Sequence, residues 1–418
     1  MTEEKLIFTP GARKKLMMIG LVGAVLALLG AVIAATGGGH HGETAEAAHH
    51  GASWVKRIFS SLWINNVYFT GIAIIGVFFV ALQYVTQSGW SAPLKRIPEA
   101  FGYWLPIAGV LMLAAFFASN FTHNNIFHWT HAGLTNPSSP DFDPIIYNKR
   151  AYLNQPFFIA RTVIYFAVWF FLFAKIRKYS LLEDKIGGTE PWYKMRRFST
   201  IFIIFFAVTS STSAWDWVMS VDPHWFSTLF GWYTFSSYFV AGLAVITYIV
   251  IRLKEKGYLQ LVNQNHIHDL GKFIFGFSIF WAYLWVSQYL LYYYANIPEE
   301  IIYFYDRVKN DFYSPFFFLN VILNFAFPFL VLMTRDSKRQ FRILKMTCIV
   351  VVIGHWLDFY LAITPGVMQK DGAFGLLEIG FAMLYLSAFG YVVLTNLSKA
   401  GLVAKHHPML EEAKHHHI

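Results

Sequence analysis

Five ionisable side chains lie inside long apolar stretches of this 418-residue sequence: Arg161, Asp216, His355, Asp358 and Glu378. A charge at the centre of a bilayer costs about 2.5–3.5 kcal/mol on insertion scales, so such residues normally face a bundle interior or a wet cavity. The pattern predicts a proton path in which Asp216 and Asp358 exchange protons, His355 relays them and Glu378 lies near the mouth. Arg161 is expected to hold one carboxylate in a charge-assisted pair.

Hydroxyl side chains precede the first of these acids. At helical spacing one face carries a polar stripe made of Thr209, Thr212, Ser213 and Asp216. The same face continues as Phe205 and Phe202. A proton half-channel needs this order, with hydroxyls leading to an ionisable group and an apolar closure beyond them. The alternative is structural, because Ser and Thr in membrane helices often bond their own backbone or a neighbouring helix.

A second group of polar and aromatic residues surrounds the same region. It consists of Arg161, Trp217, Asp222, His224 and Trp225. A lipid quinone has a flat ring that suits aromatic walls, and its carbonyls need donors near the membrane interface. These residue types therefore make a quinone pocket one interpretation. The other is an ordinary aromatic belt, since Trp and Tyr collect at the interfaces of membrane proteins in general.

The elements that must position these side chains are membrane helices. Hydrophobic residues make up 56% of the chain and charged residues only 14%, against about 25% charged in a soluble domain. About 20 apolar residues cross the hydrocarbon layer as a helix. Ten stretches qualify, and they predict an all-α polytopic fold in a single membrane domain, residues 1–418: 16–36, 67–87, 101–119, 156–175, 198–220, 231–251, 273–295, 313–333, 343–363 and 374–397.

The distribution of basic residues predicts the orientation of these spans. With a cytoplasmic N-terminus, 25 of the 33 Lys and Arg residues fall in inner segments and 7 in outer loops. Lys and Arg concentrate on the cytoplasmic side, so both termini are predicted to be cytoplasmic. The net charge of +9 then reflects membrane orientation and contact with anionic lipids rather than nucleic acid. The five ionisable side chains lie in the outer parts of their spans, and the inner halves hold no comparable acid or His.

Cofactor ligands are scarce in this sequence. The single cysteine, Cys348, excludes a disulfide framework, a Cys-ligated iron–sulfur cluster and covalent c-type haem. Only His355 is well inside a span, which argues against b-type haem. Histidines also occur in outer segments 37–66 (His40, His41, His49, His50) and 120–155 (His123, His128, His131), and in the tail at 415–417. Polar loops explain them better than metal sites, because ligand geometry and acidic partners are not evident.

Two segments of the sequence repeat each other. The fourth span opens Gln-Pro-Phe-Phe at Pro156 and the eighth opens Ser-Pro-Phe-Phe at Pro315. The following spans carry Asp216 and Asp358, each seven residues before a proline. Units four spans apart point the same way through the membrane, which is typical of a parallel repeat. We therefore predict two four-helix bundles, 67–220 and 231–363, with flanking helices 16–36 and 374–397.

One run of the sequence is distinctive, from Ser213 to Tyr233: SAWDWVMSVDPHWFSTLFGWY. A second set of motifs follows it: HDLGK at 268–272, WAY at 281–283, SQY at 287–289 and NIPEE at 296–300. Together these closely resemble the second large membrane subunit (ActF) family of bacterial alternative complex III. That family is similar to the polysulfide-reductase membrane subunit (NrfD/PsrC-like) superfamily. The resemblance extends from the first span to the tenth.

The resemblance implies a multi-pass subunit of a quinol:electron-acceptor (cytochrome c) oxidoreductase in the bacterial inner membrane. It implies two four-helix bundles plus two further helices, and no redox centre bound by this chain. Quinone or menaquinone would be present in the membrane, while haem c and iron–sulfur clusters would belong to partner subunits. The implied partners are a homologous quinol-binding membrane subunit, periplasmic iron–sulfur and multihaem cytochrome subunits, and a terminal oxidase. A structural scaffold without proton or quinone role and a secondary transporter are the alternatives.

Overall fold

The computed structural model describes residues 4–37 and 54–417. Ten of its helices are long and apolar enough to cross a membrane, which confirms the predicted all-helical, multi-pass architecture. The described residues form no β-strand and only one isolated bridge, between Lys5 and Gly401. The ten helices are α1 (Pro10–Gly37), α2 (Trp54–Val85), α3 (Arg96–Phe121), α4 (Gln155–Ile186), α5 (Glu190–Trp217), α6 (Phe230–Glu255), α7 (Gln264–Ala295), α8 (Tyr313–Val331), α9 (Phe341–Met368) and α10 (Leu376–Leu397).

Helix α2 begins well before its predicted start at residue 67. The prediction of an outer loop over 37–66 is therefore wrong for residues 54–66, which are helical. Polar residues lower the hydropathy of this stretch, but the two asparagines at its end donate hydrogen bonds in the structure. The Asn65 side-chain amide donates to the Ser61 carbonyl at 2.8 Å, and that of Asn66 donates to the Ala108 carbonyl at 2.9 Å. A buried polar group that is hydrogen-bonded costs little, so the helix continues through it.

The eight central helices pack as two rings of four neighbours. In the first ring α2 packs on α3, α3 on α4, α4 on α5, and α5 back on α2. In the second ring α6, α7, α8 and α9 follow one another, and α9 packs back on α6. Contacts of α2 with α6 and α9, and of α5 with α6, join the rings. Helix α2 is the most buried of the ten, because it has neighbours in both rings and in α10.

Helices α1 and α10 form a separate pair beside the rings. A Cβ atom on Gly380 of α10 would lie only 2.4 Å from the backbone nitrogen of Ala27 in α1. Small residues let membrane helices approach closely and gain van der Waals contact. Most other side chains of α1 are exposed on the surface of the chain, as expected for a helix that faces lipid or another subunit.

Both ends of the chain lie at one end of the bundle, called here the termini end. The backbone N–H of Leu402 donates to the carbonyl of Glu4 at 2.8 Å, which ties the two tails together. The C-terminal tail then packs against the bundle through Leu402, Ala404, Leu410 and Ala413, all buried. The opposite end, called here the distal end, carries the connections α3–α4, α5–α6, α7–α8 and α9–α10.

Candidate functional site

Asp216 is fully buried near the distal end of α5. The Nε and one terminal nitrogen of Arg161 donate to its two carboxylate oxygens, both at 2.8 Å, so the expected charge-assisted pair forms. The Tyr165 hydroxyl adds a third donor at 3.1 Å. The remaining face of the guanidinium lies over the rings of Tyr152 and Phe157, 3.9 and 4.1 Å from their centroids. A bidentate, aromatic-covered arginine fixes this carboxylate in one geometry.

The polar stripe on α5 bonds mainly to its own helix. The Thr209 hydroxyl donates to the Phe205 carbonyl at 2.9 Å, and the Ser213 hydroxyl donates to the Ser210 carbonyl at 3.2 Å. The Thr212 hydroxyl likewise donates to the Val208 carbonyl, at 3.3 Å. Thr209 also accepts from the indole N–H of Trp169 at 3.0 Å. With their hydrogens committed to the backbone, these hydroxyls form no continuous chain, and the structural interpretation of the stripe is favoured.

Asp358 occupies a different environment in the second ring. It is 3% exposed. Its carboxylate accepts hydrogen bonds from four neutral donors, two on α6, one on α7 and one on α8. The donors are the hydroxyls of Tyr233 and Ser237 (the latter at 2.8 Å), the Trp281 indole N–H (3.0 Å) and the Asn320 amide (2.8 Å). Among residues 4–37 and 54–417, no Lys, Arg or His makes an ion pair with this acid.

Ser237 links Asp358 to His355. Its hydroxyl oxygen lies 2.8 Å from Oδ2 of Asp358 and 2.9 Å from Nδ1 of His355. His355 is fully buried, and its Nε2 has no hydrogen-bond partner within the described part of the chain. His355 lies close to the middle of α9, so a carboxyl–hydroxyl–imidazole series runs from the distal half of the helix to its centre. Ser237 was missed at the sequence level, because a lone serine in an apolar helix gives no signal.

Arg161 and Asn320 hold corresponding places in the two rings. Arg161 lies five residues after Pro156, and Asn320 lies five residues after Pro315. Each donates to the buried aspartate of the following helix in its own ring. The second ring thus has a neutral amide where the first has a guanidinium. Asn320 in turn accepts from the Asn324 amide at 2.6 Å, and Asn324 lies in a π-helical segment, Ile322–Ala326.

A small cavity lies beside Asp358. Its volume is about 20 Å³, which is room for about one water molecule. Polar groups line it, among them Gln288, Arg307 and Asn320, together with the carboxylate itself. Arg307 does not neutralise the acid, because its guanidinium donates to the carbonyls of Tyr303, Leu361 and Ala362 instead. The cavity can therefore hold a water that faces both Asp358 and donors nearer the distal end.

An aromatic stack covers this cavity on the distal side. Trp225 stacks on Tyr303 with ring centroids 4.0 Å apart, and the Arg307 guanidinium lies 3.4 Å from the Tyr303 centroid on that ring. Tyr303 and Arg307 belong to the short helix Pro298–Lys309. Trp225 thus belongs to the second ring, although its sequence neighbours led us to group it with Arg161.

The predicted quinone cluster does not form one pocket. Trp217 and Arg161 lie in the first ring, where the Trp217 indole N–H donates to Thr162 at 3.2 Å. His224 is exposed and lies 2.5 Å from a carboxylate oxygen of Asp143 in the α3–α4 connection. Asp222 is half-buried in the turn after α5. Burial tends to raise the pKa of Asp143, but hydrogen bonds from His224 and the backbone outweigh it, so this pKa is lowered.

Glu378 lies at the distal end of α10 and pairs with a residue that the sequence analysis had placed in a loop. Two guanidinium nitrogens of Arg57, on α2, donate to the two carboxylate oxygens of Glu378, both at 2.7 Å. Glu378 also accepts from the backbone N–H of Gly375 at 2.8 Å, capping its own helix. The pair ties α10 to α2.

The inner halves of the spans were expected to lack buried acids, and that expectation is wrong at the termini end of the first ring. Helices α3 and α4 extend beyond their apolar stretches and bury a charge network between them. Arg177 donates to Glu99 at 2.5 Å, Arg96 pairs with Asp184 at 2.6 Å, and Lys95 pairs with Glu183. The hydropathy window could not include these residues, because each is charged.

Metal ligation finds no geometric support in the described residues, which hold no group of three His, Cys, Asp or Glu side chains able to bind an ion. The ring centroid of His128 lies 5.6 Å from that of His131 and 5.8 Å from that of His224. Burial lowers the pKa of His128 and of His131. His416 of the tail contacts Asp269 at 2.6 Å. The histidines at 40, 41, 49 and 50 lie outside the described residues.

No protein-family model matches this chain, and a search of curated proteins finds no significant match either.

Proposed function

We propose that this protein is a membrane subunit of a quinol:electron-acceptor oxidoreductase, and that its second ring forms a proton half-channel open toward the distal end. The subunit assignment is supported by the resemblance of the Ser213–Tyr233 run and the motifs that follow it. The proton role is supported by Asp358, a buried acid that has no cationic partner among the described residues and that contacts a water-sized cavity on one side and Ser237 on the other.

The donors around Asp358 allow its protonation state to change. As a carboxylate it accepts all four hydrogen bonds. On protonation one donor must reverse, and a hydroxyl can do so by rotating, whereas an indole or amide N–H cannot. Tyr233 and Ser237 are therefore the two points at which a proton can enter or leave. Ser237 can take the proton of Asp358 and give its own to Nδ1 of His355 when that nitrogen is unprotonated.

Asp216 receives a different assignment within this proposal. Its two oxygens are held by an arginine that has no proton to give at physiological pH. We therefore assign Asp216 the structural role of joining α4 to α5, and place proton exchange at Asp358 and His355. Glu378, likewise paired with an arginine, joins α10 to α2.

The corresponding places of Arg161 and Asn320 support a parallel repeat of the two rings. In such a repeat the first ring would keep a neutralised, structural acid and the second an exchangeable one. With both termini in the cytoplasm, as the basic-residue distribution predicts, the half-channel would open to the periplasm. The chain would bind no redox centre and would pack against the homologous quinol-binding subunit, with α1 and other exposed apolar faces available for contact.

Purification of the tagged full-length chain in mild detergent tests the subunit assignment. We expect it to bring down a homologous membrane subunit, an iron–sulfur protein and a multihaem cytochrome, seen as haem absorbance and by mass spectrometry. Isolation without any of these partners would contradict the assignment. Solute uptake by the purified chain in liposomes would favour a secondary transporter. If the partners co-purify but Asp358→Asn leaves turnover unaffected, the result would favour a structural scaffold without a proton role.

A further inference from the structure

A long groove runs along α7 at the termini end, away from Asp216 and Asp358. Its volume is about 680 Å³, and its walls come from α7, from Trp90 in the connection before α3, and from His416 in the tail. Along α7 the lining changes from charged to apolar, from Asp269 and Lys272 to Phe277 and Phe280. This order matches an amphiphile that lies with its head at the termini end.

The charged part of the groove is well organised. Asp269 is 7% exposed and contacts both Lys272 and His416 at 2.6 Å. The backbone carbonyl of His416 accepts from the side-chain amides of Asn263 and Asn265 at 3.0 and 3.1 Å, which holds the tail in place. About half of the Lys272 side chain remains exposed at the groove, so its ammonium can take a second partner.

The surroundings of Lys272 carry excess positive charge. Lys338 packs against the same turn of α7, where a Cβ on Gly271 would lie 3.0 Å from the Cβ of Lys338. Burial, and the nearby charge of Lys272, lower the pKa of Lys338. Arg339 also lies here and donates to Asn265 at 2.8 Å. Lys272 is the lysine that lines the groove, while Lys338 and Arg339 add positive charge to the neighbouring surface around His268, a distribution that favours an anionic head group.

The apolar part of the groove suits one acyl chain. Phe273 stacks on Trp90 with ring centroids 6.0 Å apart, and the two rings form one wall of the groove. A Cβ on Gly276 would meet nothing within 4 Å, so the floor is open there. From Asp269 to Phe280 the helix rises about 16 Å, roughly half of the hydrocarbon thickness.

The depth of the groove agrees with this orientation. Helix α7 has 32 residues and is about 48 Å long, so it extends about 9 Å beyond a hydrocarbon layer of about 30 Å at each end. Lys272 lies about 12 Å from the start of the helix and therefore near the head-group boundary. We propose that this groove binds one anionic phospholipid, with its phosphate at Lys272 and one acyl chain along Phe273, Phe277 and Phe280.

Native mass spectrometry of the delipidated full-length chain tests this, using phosphatidylglycerol and phosphatidylcholine with identical acyl chains. The wild type should bind one phosphatidylglycerol more tightly than phosphatidylcholine, by roughly fivefold, the contribution expected of one lysine near a lipid phosphate. Gly276→Leu fills the floor and should abolish this site. Gly11→Leu is the matched control, since its Cβ also meets nothing within 4 Å in a helix at the termini end.

Lys272→Gln provides an independent arm that does not depend on filling the groove. It should retain one lipid but lose the preference for phosphatidylglycerol. Undiminished binding in Gly276→Leu, or an unchanged lipid preference in Lys272→Gln, would overturn the proposal. So would a native adduct whose mass identifies a quinone in place of a phospholipid. If Gly276→Leu does not fold, the lipid preference of Lys272→Gln decides the matter.

Discussion

Each ring buries an aspartate in the distal half of a helix, Asp216 on α5 and Asp358 on α9, and surrounds it with different chemistry. Asp216 is held by a bidentate guanidinium, whereas the donors to Asp358 among the described residues are neutral. The corresponding position five residues after the opening proline is Arg161 in one ring and Asn320 in the other. In our proposal this one position decides whether the acid is a fixed half of an ion pair or a group that exchanges protons.

The comparison also extends to what lies beside each acid. Arg161 is covered by two aromatic rings. Asp358 instead faces a cavity of about 20 Å³ and a hydroxyl that reaches His355. Removing one partner of a buried ion pair strongly destabilises the protein, because the other charge is left buried and unpaired. While the pair is intact, its carboxylate stays ionised and does not exchange a proton. The following predictions use that difference, starting with the largest expected effect.

Removal of the arginine should be far more costly than removal of its counterpart. Arg161→Gln leaves Asp216 buried without a cation and should lower the free energy of unfolding by about 3–5 kcal/mol. Asn320→Ala removes one of four neutral donors and should cost about 1–3 kcal/mol. Denaturant titration of the full chain in detergent measures both losses. Arg150→Gln is the control, since the Arg150 side chain is exposed and, among the described residues, its recorded contacts are with Tyr147. Equal losses at 161 and 320 would contradict the contrast between the rings.

Loss of the bridging hydroxyl should interrupt proton transfer in the second ring. Ser237→Ala removes the one side chain in the described part of the chain that lies within hydrogen-bond distance of both Asp358 and His355, and should reduce proton-coupled turnover at least tenfold. Ser236→Ala is a closely matched control, because this neighbouring buried hydroxyl donates only to the Tyr233 carbonyl. Stopped-flow measurement of proton release by the assembled complex distinguishes the two. Equal rates in both variants would rule out the Ser237 route.

The smallest effect concerns the termini end, where the C-terminal tail covers the charge network of the first ring. Burial, followed by the charges of Lys95 and Arg96, lowers the pKa of His407 to about 2. When the tail is undocked, His407 binds a proton as the pH falls through its ordinary pKa of 6.5. When the tail is docked, His407 stays neutral. The free energy that favours docking is therefore largest above pH 6.5 and decreases as the pH falls. At pH 6 the loss should be about 0.8 kcal/mol.

Limited proteolysis of the tail as a function of pH measures this loss. His407→Gln should remove the pH dependence between pH 5 and 7, whereas the control His406→Gln, at an exposed neighbouring position, should retain it. A pH dependence that persists in His407→Gln would show that another group controls docking.

The helices themselves were largely predictable, because apolar length is a property of the local sequence. The starts of α2 and α3 and the end of α4 were not, since Asn66, Glu99 and Glu183 lower the hydropathy of segments that the bundle nevertheless buries. Each of these side chains makes a tertiary hydrogen bond, and a hydropathy window does not include such contacts.

The candidate site was predictable in its acids but not in their partners. Asp216 and Asp358 could be singled out because they are ionisable residues within long apolar segments, and a carboxylate partner for Arg161 could be expected because it lies in such a segment too. Ser237, Trp281 and Asn320 converge on Asp358 from three helices, so only the packing of α6, α7 and α8 could identify them. Trp225 and Arg161 are both predicted on the outer side of the membrane, which suggested one pocket, but they lie in different rings.

The most direct test compares Asp358→Asn with Asp216→Asn in the assembled complex reconstituted into liposomes. For each variant the number of protons released per electron transferred is measured, together with the amount of complex assembled. We predict that Asp358→Asn lowers the proton-to-electron ratio while assembly is nearly unchanged. Asp216→Asn should reduce assembly while the ratio per complex stays at the wild-type value. A normal ratio in Asp358→Asn, or a lowered ratio in well-assembled Asp216→Asn, would contradict the assignment of proton exchange to the second ring.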